Sequence, residues 1–152
     1  MIRLNKILVP TDFSEHSARA VRYGAELAAK FGAELHLLHC VEQTPILYGE
    51  GGAWISPESI VELQAAADQQ LQDVPVDPSE GVTVVRKCVD GHPFVEVIRY
   101  AKAEETDLIV IGTHGRGAIA HLLLGSVAEK VVRKAPCPVL TVRDQEHEFV
   151  MP

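Results

Sequence analysis

The sequence contains few of the residues on which several classes of protein depend. Its three cysteines, Cys40, Cys88 and Cys137, are widely spaced and form no CxxC pair, which argues against a disulfide framework, a cysteine zinc site or a redox motif. Aromatic residues make up only 5% of the chain, so we expect a mainly aliphatic core. No segment approaches the ~20 apolar residues of a membrane span, and residues 1–10 lack the apolar core of a signal peptide. We therefore expect a cytoplasmic protein without membrane insertion.

Basic residues are fewer than acidic residues. Lysine and arginine number 14 against 21 aspartates and glutamates, which gives a formal net charge of −7. Binding to the phosphate backbone of nucleic acid depends on clustered basic residues, so nucleic acid is not expected as a partner. A single nucleotide is still compatible with this charge, because backbone amides and a few cations can hold phosphates within an acidic protein.

Catalytic and metal-binding motifs are equally scarce. The chain has no GxSxG, HExxH or GxxxxGK[ST] motif. His36 and His39 lie an odd number of residues apart on a predicted strand, so they should point to opposite faces. His36 and Cys40 share a face but would stand ~13 Å apart, too far to bind one ion. We predict no catalytic residue and no metal site built from protein ligands alone, and binding is better supported than turnover.

Short apolar runs alternate with helical patterns along the whole chain. This alternation predicts an α/β fold in which helices cover both faces of a doubly wound, parallel, five-stranded sheet. The length of 152 residues, with no internal repeat and no linker, predicts a single domain over residues 1–152. The predicted strands are 7–10, 35–41, 82–89, 108–111 and 139–142, and the predicted helices are 14–31, 57–74, 93–103 and 127–135.

Capping residues support the predicted helix ends. Ser14 or Asp12 can cap the start of the first helix, and Gly32 can end it. Ser56 precedes the second helix, and Pro57 occupies its first position, where the missing N–H carries no cost.

The most informative stretch is residues 107–127, where a buried strand ends on a glycine-rich loop that leads into a helix. The loop glycines remove side chains that would keep a ligand from the backbone, and they reach positive φ angles freely; they are Gly112, Gly115 and Gly117. Gly125 and Ser126 then open a helix whose first N–H groups lack intrahelical partners and point at any bound anion. Ser126 could cap this helix or bond a phosphate oxygen. This order predicts a phosphate site.

Several loops should converge on that site. In a doubly wound sheet, ligands bind outside the carboxyl ends of the strands, where the winding reverses. The segment Pro10-Thr11-Asp12 follows the first strand, Val41 ends the second, residues 90–92 follow the third and the glycine loop follows the fourth.

The charged side chains near the loop could each contact a ligand or have no role in binding. His114 and Arg116 flank Gly115, and either could meet phosphate charge, Arg116 through a bidentate fork; a solvated loop would explain them equally well. Asp12 could serve only as a helix cap, or it could face a ligand. A carboxylate facing a polyphosphate would need a cation or a ribose hydroxyl as its partner.

Four sequence blocks, in order, resemble the nucleotide-binding branch of the universal stress protein (UspA-like) family. They are KILVPTDFS at 6–14, DGHP at 90–93, the glycine pattern from Gly112 to Ser126, and PCPVLTVR at 136–143. The resemblance covers nearly the whole chain. It implies a Rossmann-like fold with strand order 3-2-1-4-5.

The resemblance also implies a ligand, ATP, with Mg²⁺ bound in some members. By the family pattern the nucleotide-binding positions are Asp12, Val41, Gly112, Gly115, Gly125, Ser126 and Val127. Asp12 would lie near the ribose and phosphates and could reach a nucleotide-bound Mg²⁺, while backbone around Thr11 and Val41 would frame the adenine. Ala128 stands where some members place a further hydroxyl residue.

The family pattern further implies a homodimer formed through the last strand, by Val139, Leu140, Thr141 and Val142. The alternative is an edge protected only by the charged segment 144–149. The implied function is stress-response signalling through nucleotide occupancy, with an unknown downstream protein partner. A nucleotide-independent dimeric interaction module and a slow ATP hydrolase remain open, and the loop at 44–56 fits either a lid or a disordered insertion.

Overall fold

The protein is described by a computed structural model over residues 1–42, 56–77, 81–114 and 124–143. Strands and helices alternate throughout these residues, as predicted. The strands are β1 (Lys6–Pro10), β2 (Glu34–Val41), β3 (Val84–Asp90), β4 (Leu108–Gly112) and β5 (Val139–Val142). The helices are α1 (Glu15–Phe31), α2 (Pro57–Gln72), α3 (Pro93–Ala103) and α4 (Ser126–Lys134).

The five strands form one sheet in the order β3-β2-β1-β4-β5, and all four pairings are parallel. This confirms the predicted α/β fold and strand order. Because the strands are parallel, all their carboxyl ends lie along one edge of the sheet. The winding reverses beside β1, which pairs with β2 on one side and β4 on the other, so the loops after β1 and β4 flank a crevice at this edge.

Each face of the sheet carries its own aliphatic core. Ile7 and Val9 pack into one cluster with residues of α1, whereas Leu8 packs into the other with residues of α3 and α4. All three side chains are completely buried. Burial on both faces explains why the strands are continuous apolar runs instead of alternating ones.

The predicted helix ends are confirmed, with small differences. Ser14 is the N-cap of α1, where its hydroxyl accepts the N–H of Ser17 at 3.3 Å, and Gly32 ends the helix at φ 66°. Ser56 caps α2 in the same way. However, α2 ends two residues earlier than predicted, since Pro75 disfavours helical backbone at Val74. Arg86 of β3 donates to the carbonyls of Leu71 and Val74 at this end.

The strand β3 is also shifted, to Val84–Asp90 from the predicted 82–89. The three cysteines are free thiols. No helix within the described ranges is both long and apolar enough to cross a membrane. The loop at 44–55, the glycine-loop residues Gly115 and Arg116 and the charged segment 144–149 lie outside the described residues.

Candidate functional site

Thr11 stands at the crevice, directly after β1. It is 6% exposed, and its N–H donates to the carbonyl of Leu38 at 2.9 Å, which extends the pairing of β1 with β2 by one residue. Its hydroxyl lies 3.0 Å from the Ser17 hydroxyl and accepts the N–H of Phe13 at 3.1 Å. The backbone at the end of β1 is therefore tightly held before the chain enters α1.

Asp12 follows, half-buried. Its Oδ1 accepts the N–H of Ser14 at 3.0 Å and also the Ser14 hydroxyl. Of the two capping candidates, Ser14 is therefore the N-cap, and Asp12 orients it. Asp12 thus has a structural role at the start of α1, and its carboxylate lies at the predicted edge of the sheet.

Gly112 ends β4 beside α1. A Cβ atom at this position would lie 2.9 Å from the backbone carbonyl oxygen of His16 and 3.1 Å from its carbon. Real Cβ atoms essentially never approach backbone this closely, so only glycine allows α1 to pack against the end of β4. Gly112 therefore allows the first turn of α1 to lie beside the start of the loop that the sequence predicts to bind phosphate.

The amino terminus of α4 lies directly beside β4. The N–H of Gly125 donates to the carbonyl of Thr113 at 2.5 Å, while the Gly125 carbonyl accepts the N–H of Glu129 at 2.9 Å. Thr113 in turn donates its N–H to Val142 of β5 at 3.0 Å and is 1% exposed. The first turn of α4 is therefore fixed relative to the carboxyl edge of the sheet.

The prediction that Ser126 could cap α4 is wrong. Gly125 is the N-cap, with extended backbone at φ −66° and ψ 159°, and no side chain caps the helix. Ser126 is the first helical residue, and its side chain is exposed. The helix thus opens without a side-chain acceptor, and the N–H groups of residues 126–128 have no intrahelical carbonyl to bind.

The side chains after Ser126 turn toward the core. Ala128 is 3% exposed and belongs to the cluster on the α3 and α4 face, and Val127 packs against that cluster. Because Ala128 is buried there, a hydroxyl at this position would enter the apolar cluster. Val127 and Ala128 therefore offer a ligand only their backbone amides.

His114 follows Thr113, whose carbonyl accepts the N–H of Gly125. Its Nδ1 is 3.0 Å from the hydroxyl of Thr113, and its ring centroid is 6.0 Å from that of His16. His114 therefore lies at the end of β4, between α1 and the start of α4. Gly115 and Arg116, which follow it, lie outside the described residues.

Val41 ends β2 at the same edge. Its carbonyl accepts the N–H of Gly91 at 3.1 Å, and Gly91 has φ 139°, a conformation that L side chains rarely adopt. Gln64 of α2 donates to Asp90 at 2.6 Å. The DGHP turn is therefore attached to the end of β2, with one lone pair of the Val41 carbonyl left for another donor.

Two residues at this edge escaped the sequence prediction. The Nδ1–H of His39 donates to the carbonyl of Thr11 at 2.8 Å, and its ring stacks on Phe13 with centroids 4.1 Å apart. Phe13 has φ 66°, which is uncommon for a residue other than glycine. Only the position of His39 near the carboxyl end of a predicted strand could have pointed to it.

A groove of about 240 Å³ lies between the start of α1 and the end of α2, with Thr11, Phe13 and Ser17 on one side and Asp73 and Val74 on the other. It contains no residue of α4. The amides suited to an anion lie at the crevice beside β4, so the groove is not the candidate phosphate site. Within the described ranges, no three histidine, cysteine, aspartate or glutamate side chains are grouped so as to hold a metal ion.

Known proteins are similar to this chain in sequence and in fold. A universal stress protein of Methanocaldococcus jannaschii is 36% identical over 146 residues, which cover 94% of this chain and 84% of that protein. The solved structure of a second M. jannaschii universal stress protein has a TM-score of 0.81 and 29% identity, and the match covers 96% of this chain and 100% of that chain.

Two other solved universal stress proteins were determined with bound nucleotides. One, in complex with cAMP, has a TM-score of 0.61 at 24% identity and covers 93% of this chain and 98% of its own. The other, from Archaeoglobus fulgidus in complex with dAMP, has a TM-score of 0.59 at 23% identity with the same coverage. At these identities the likeness establishes the fold. The model of the universal stress protein family matches residues 3–143, and the chain therefore belongs to this family.

Proposed function

We propose that the protein binds an adenine nucleotide, ATP, at the carboxyl edge of the sheet, and that occupancy of this site is its signal in a stress response. The phosphates would bind the amides of Ser126 and Val127, which follow Gly125, and the glycine loop, including Gly112, His114, Gly115 and Arg116. The nucleoside would lie along Pro10, Thr11, Asp12 and Val41.

One observation carries the proposal. The helix α4 begins without a side-chain cap, directly beside the end of β4, and the Thr113–Gly125 hydrogen bond holds it there. An uncapped helix start presents backbone N–H groups and the positive end of the helix dipole, and both favour a bound anion. A protein of net charge −7 gains most from such a site, because it holds phosphate without requiring lysine or arginine.

The related structures support the choice of ligand. Two universal stress proteins of the same fold hold cAMP and dAMP, which share the adenine base with ATP. Asp12 supplies the only carboxylate among the proposed site residues, and it could reach a Mg²⁺ ion held by the phosphates. An oxygen ligand of this kind fits magnesium, which commonly binds through one or two carboxylates together with nucleotide phosphates.

A homodimer would complete the signalling unit. β5 is an outer strand of the described sheet, and Leu140 near its centre is 37% exposed. Apolar edge strands are usually covered by another chain or element. A second copy that pairs along Val139–Val142 would cover this edge.

Removing a single amide from α4 tests the proposal. Ser126→Pro deletes the first helical N–H, and the helix should tolerate it because proline is favoured at the first helical position. Gly125 already has the extended conformation that proline requires of the preceding residue. The same arrangement occurs naturally at Ser56-Pro57 and His92-Pro93.

Ser126→Ala is the matched control, since it removes the hydroxyl and retains the N–H. Affinity for ATP, measured by isothermal titration calorimetry with Mg²⁺ present, should fall roughly 10- to 100-fold in Ser126→Pro, as expected for a hydrogen bond to a charged group. Ser126→Ala should bind nearly as the wild type does. Wild-type affinity in both variants would exclude the α4 amides as the phosphate site. A wild-type protein that does not bind ATP would exclude the nucleotide function and leave a nucleotide-independent interaction module. Phosphate release during the titration would instead indicate a hydrolase.

A further inference from the structure

The turn after β1 is held by a contact from His39 of β2. The carbonyl of Thr11 accepts the Nδ1–H of His39 at 2.8 Å, and the hydroxyl of Thr11 accepts the N–H of Phe13 at 3.1 Å. The ring of Phe13 then stacks on His39, with centroids 4.1 Å apart and an interplanar angle of 29°. Residues 11–13 and His39 thus form a closed set of contacts, which we call the turn clamp.

The clamp holds a backbone conformation that the chain would not otherwise favour. Phe13 has φ 66°, where a bulky side chain is strained. Such strain persists only when the surroundings enforce it, and it concentrates at ligand-binding sites. Glycine would adopt the same φ without strain, so an aromatic residue at this position points to a use for its ring, which here contacts His39.

Asp12 lies between the two residues that the clamp holds. Its backbone is therefore set by Thr11 on one side and Phe13 on the other, and its Oδ1 is set by Ser14. If the carbonyl of Thr11 lost its partner, the peptide between Thr11 and Asp12 could rotate, and the carboxylate would move with it. An error of about 1 Å in a binding group is enough to weaken a ligand contact substantially.

We propose that His39, assisted by Phe13, is a positioning residue for the nucleoside part of the ligand. This inference rests on the proposed nucleotide function. His39 holds the Thr11 carbonyl and thereby orients Asp12, which would contact the nucleoside end of the ligand, away from the α4 amides. In the absence of Mg²⁺, loss of the clamp should therefore weaken adenosine and ATP by the same factor, whereas loss of an α4 amide should weaken ATP alone.

Two substitutions separate the hydrogen bond from the stacking. His39→Asn places an amide N–H near the position of Nδ1 but removes most of the ring, and His39→Phe retains a ring without the donor. His36→Asn is the matched control: His36 lies on the same strand but contacts Tyr100 and Glu34, and its ring packs on the opposite face of the sheet.

Binding of adenosine and of ATP to each variant should be measured by calorimetry, at a temperature where circular dichroism shows all proteins folded. We expect His39→Phe to lose about 10-fold in affinity for both ligands, which corresponds to about 1.4 kcal/mol, and His39→Asn to recover most of this loss. His36→Asn should bind as the wild type does. If His39→Phe destabilises the fold too far, Phe13→Gly provides the same test, because glycine keeps the turn conformation available.

Other outcomes are distinct. Wild-type affinity in both His39 variants and in Phe13→Gly would overturn the positioning role and leave the proposed function intact. A loss for ATP alone would also overturn it, because the effect would then lie at the phosphates. Wild-type protein that binds neither adenosine nor ATP would overturn both the proposed function and this inference.

Discussion

The carbonyl oxygen of His16 lies 2.9 Å from the point that a Cβ atom on Gly112 would occupy. This contact joins the first turn of α1 to the end of β4, the two elements on either side of the crevice. Because the neighbour is backbone and not the end of a flexible side chain, it cannot move without displacing α1. The glycine that begins the phosphate pattern therefore has a packing role as well as a proposed binding role.

We expect Gly112→Ala to reduce the free energy of unfolding by about 1–3 kcal/mol, the usual cost of overpacking a tight contact, and to weaken nucleotide binding. Urea denaturation and calorimetry would measure the two effects. Gly32→Ala is the control, because a Cβ atom there meets nothing within 4 Å but the residue has φ 66°. It should cost about 1–2 kcal/mol through backbone strain and leave nucleotide affinity unchanged. An alanine at Gly112 without a stability cost would contradict the contact.

The fold could be predicted from the sequence because its signals are local and redundant. Ile7, Leu8 and Val9 are buried on alternate faces, and a strand covered on both sides appears as an unbroken apolar run. The caps depend on adjacent backbone, so residue type predicted Gly32 and Ser56 and reduced the start of the first helix to Asp12 or Ser14. Strand order came from the family resemblance, since short parallel strands do not identify their neighbours.

The details of the site were harder to predict because they depend on contacts between distant segments. His39 is 28 residues from Thr11, and no local pattern shows that a histidine will reach across a sheet to a carbonyl. Ser126 was a candidate cap because serine favours that position, but the helix begins one residue earlier than predicted, at Ser126, and its N-cap is Gly125, whose extended backbone needs no particular side chain.

The hydrogen bond between Tyr100 and His36 should stabilise the fold without affecting the ligand. His36 is 4% exposed, and its Nε2 faces Glu34 Oε2 at 3.2 Å, so Nε2 carries the proton in the neutral ring. Nδ1 must then accept, and the Tyr100 hydroxyl donates to it at 2.8 Å. Burial raises the pKa of Tyr100 to about 12, so this donor keeps its proton over the physiological range.

Tyr100→Phe leaves the buried Nδ1 without its donor, and we expect a loss of about 1–3 kcal/mol in the free energy of unfolding. Urea denaturation at pH 7 measures it. Tyr23→Phe is the matched control, because Tyr23 is 53% exposed on α1, and it should have little effect. ATP affinity should be unchanged in both variants. A neutral Tyr100→Phe substitution would show that water or another group satisfies His36.

The cysteines should be unreactive thiols in the native protein. Burial raises the pKa of Cys40 to about 12, and burial together with Asp68 does the same for Cys88. Since the thiolate is the reactive form, Ellman's reagent at pH 8 should modify these thiols roughly 100-fold more slowly in the native protein than in urea. Rapid modification of native Cys40 would contradict its burial.

The same pKa shift predicts a loss of stability at alkaline pH. Above about pH 9 the unfolded Cys40 thiol loses its proton while the folded thiol keeps it, so the unfolded state binds fewer protons. Stability then falls as the pH rises from about 9 to about 12. Cys40→Ala should lessen this fall compared with the wild type in urea denaturation across that range. An unchanged pH dependence would mean that burial does not raise the pKa of the folded Cys40 thiol.

The proposed homodimer would pair through the outer edge of β5. Leu140 is 37% exposed on this strand, and Val132 is 46% exposed on α4, so lysine at either position should leave the monomer folded. Only Leu140 lies on the edge strand, where an added lysine disfavours pairing with another strand. We expect light scattering to give a dimer for the wild type and for Val132→Lys, and a monomer for Leu140→Lys. A dimer that survives Leu140→Lys but dissociates in Val132→Lys would place the interface on α4, and β5 would then need another cover.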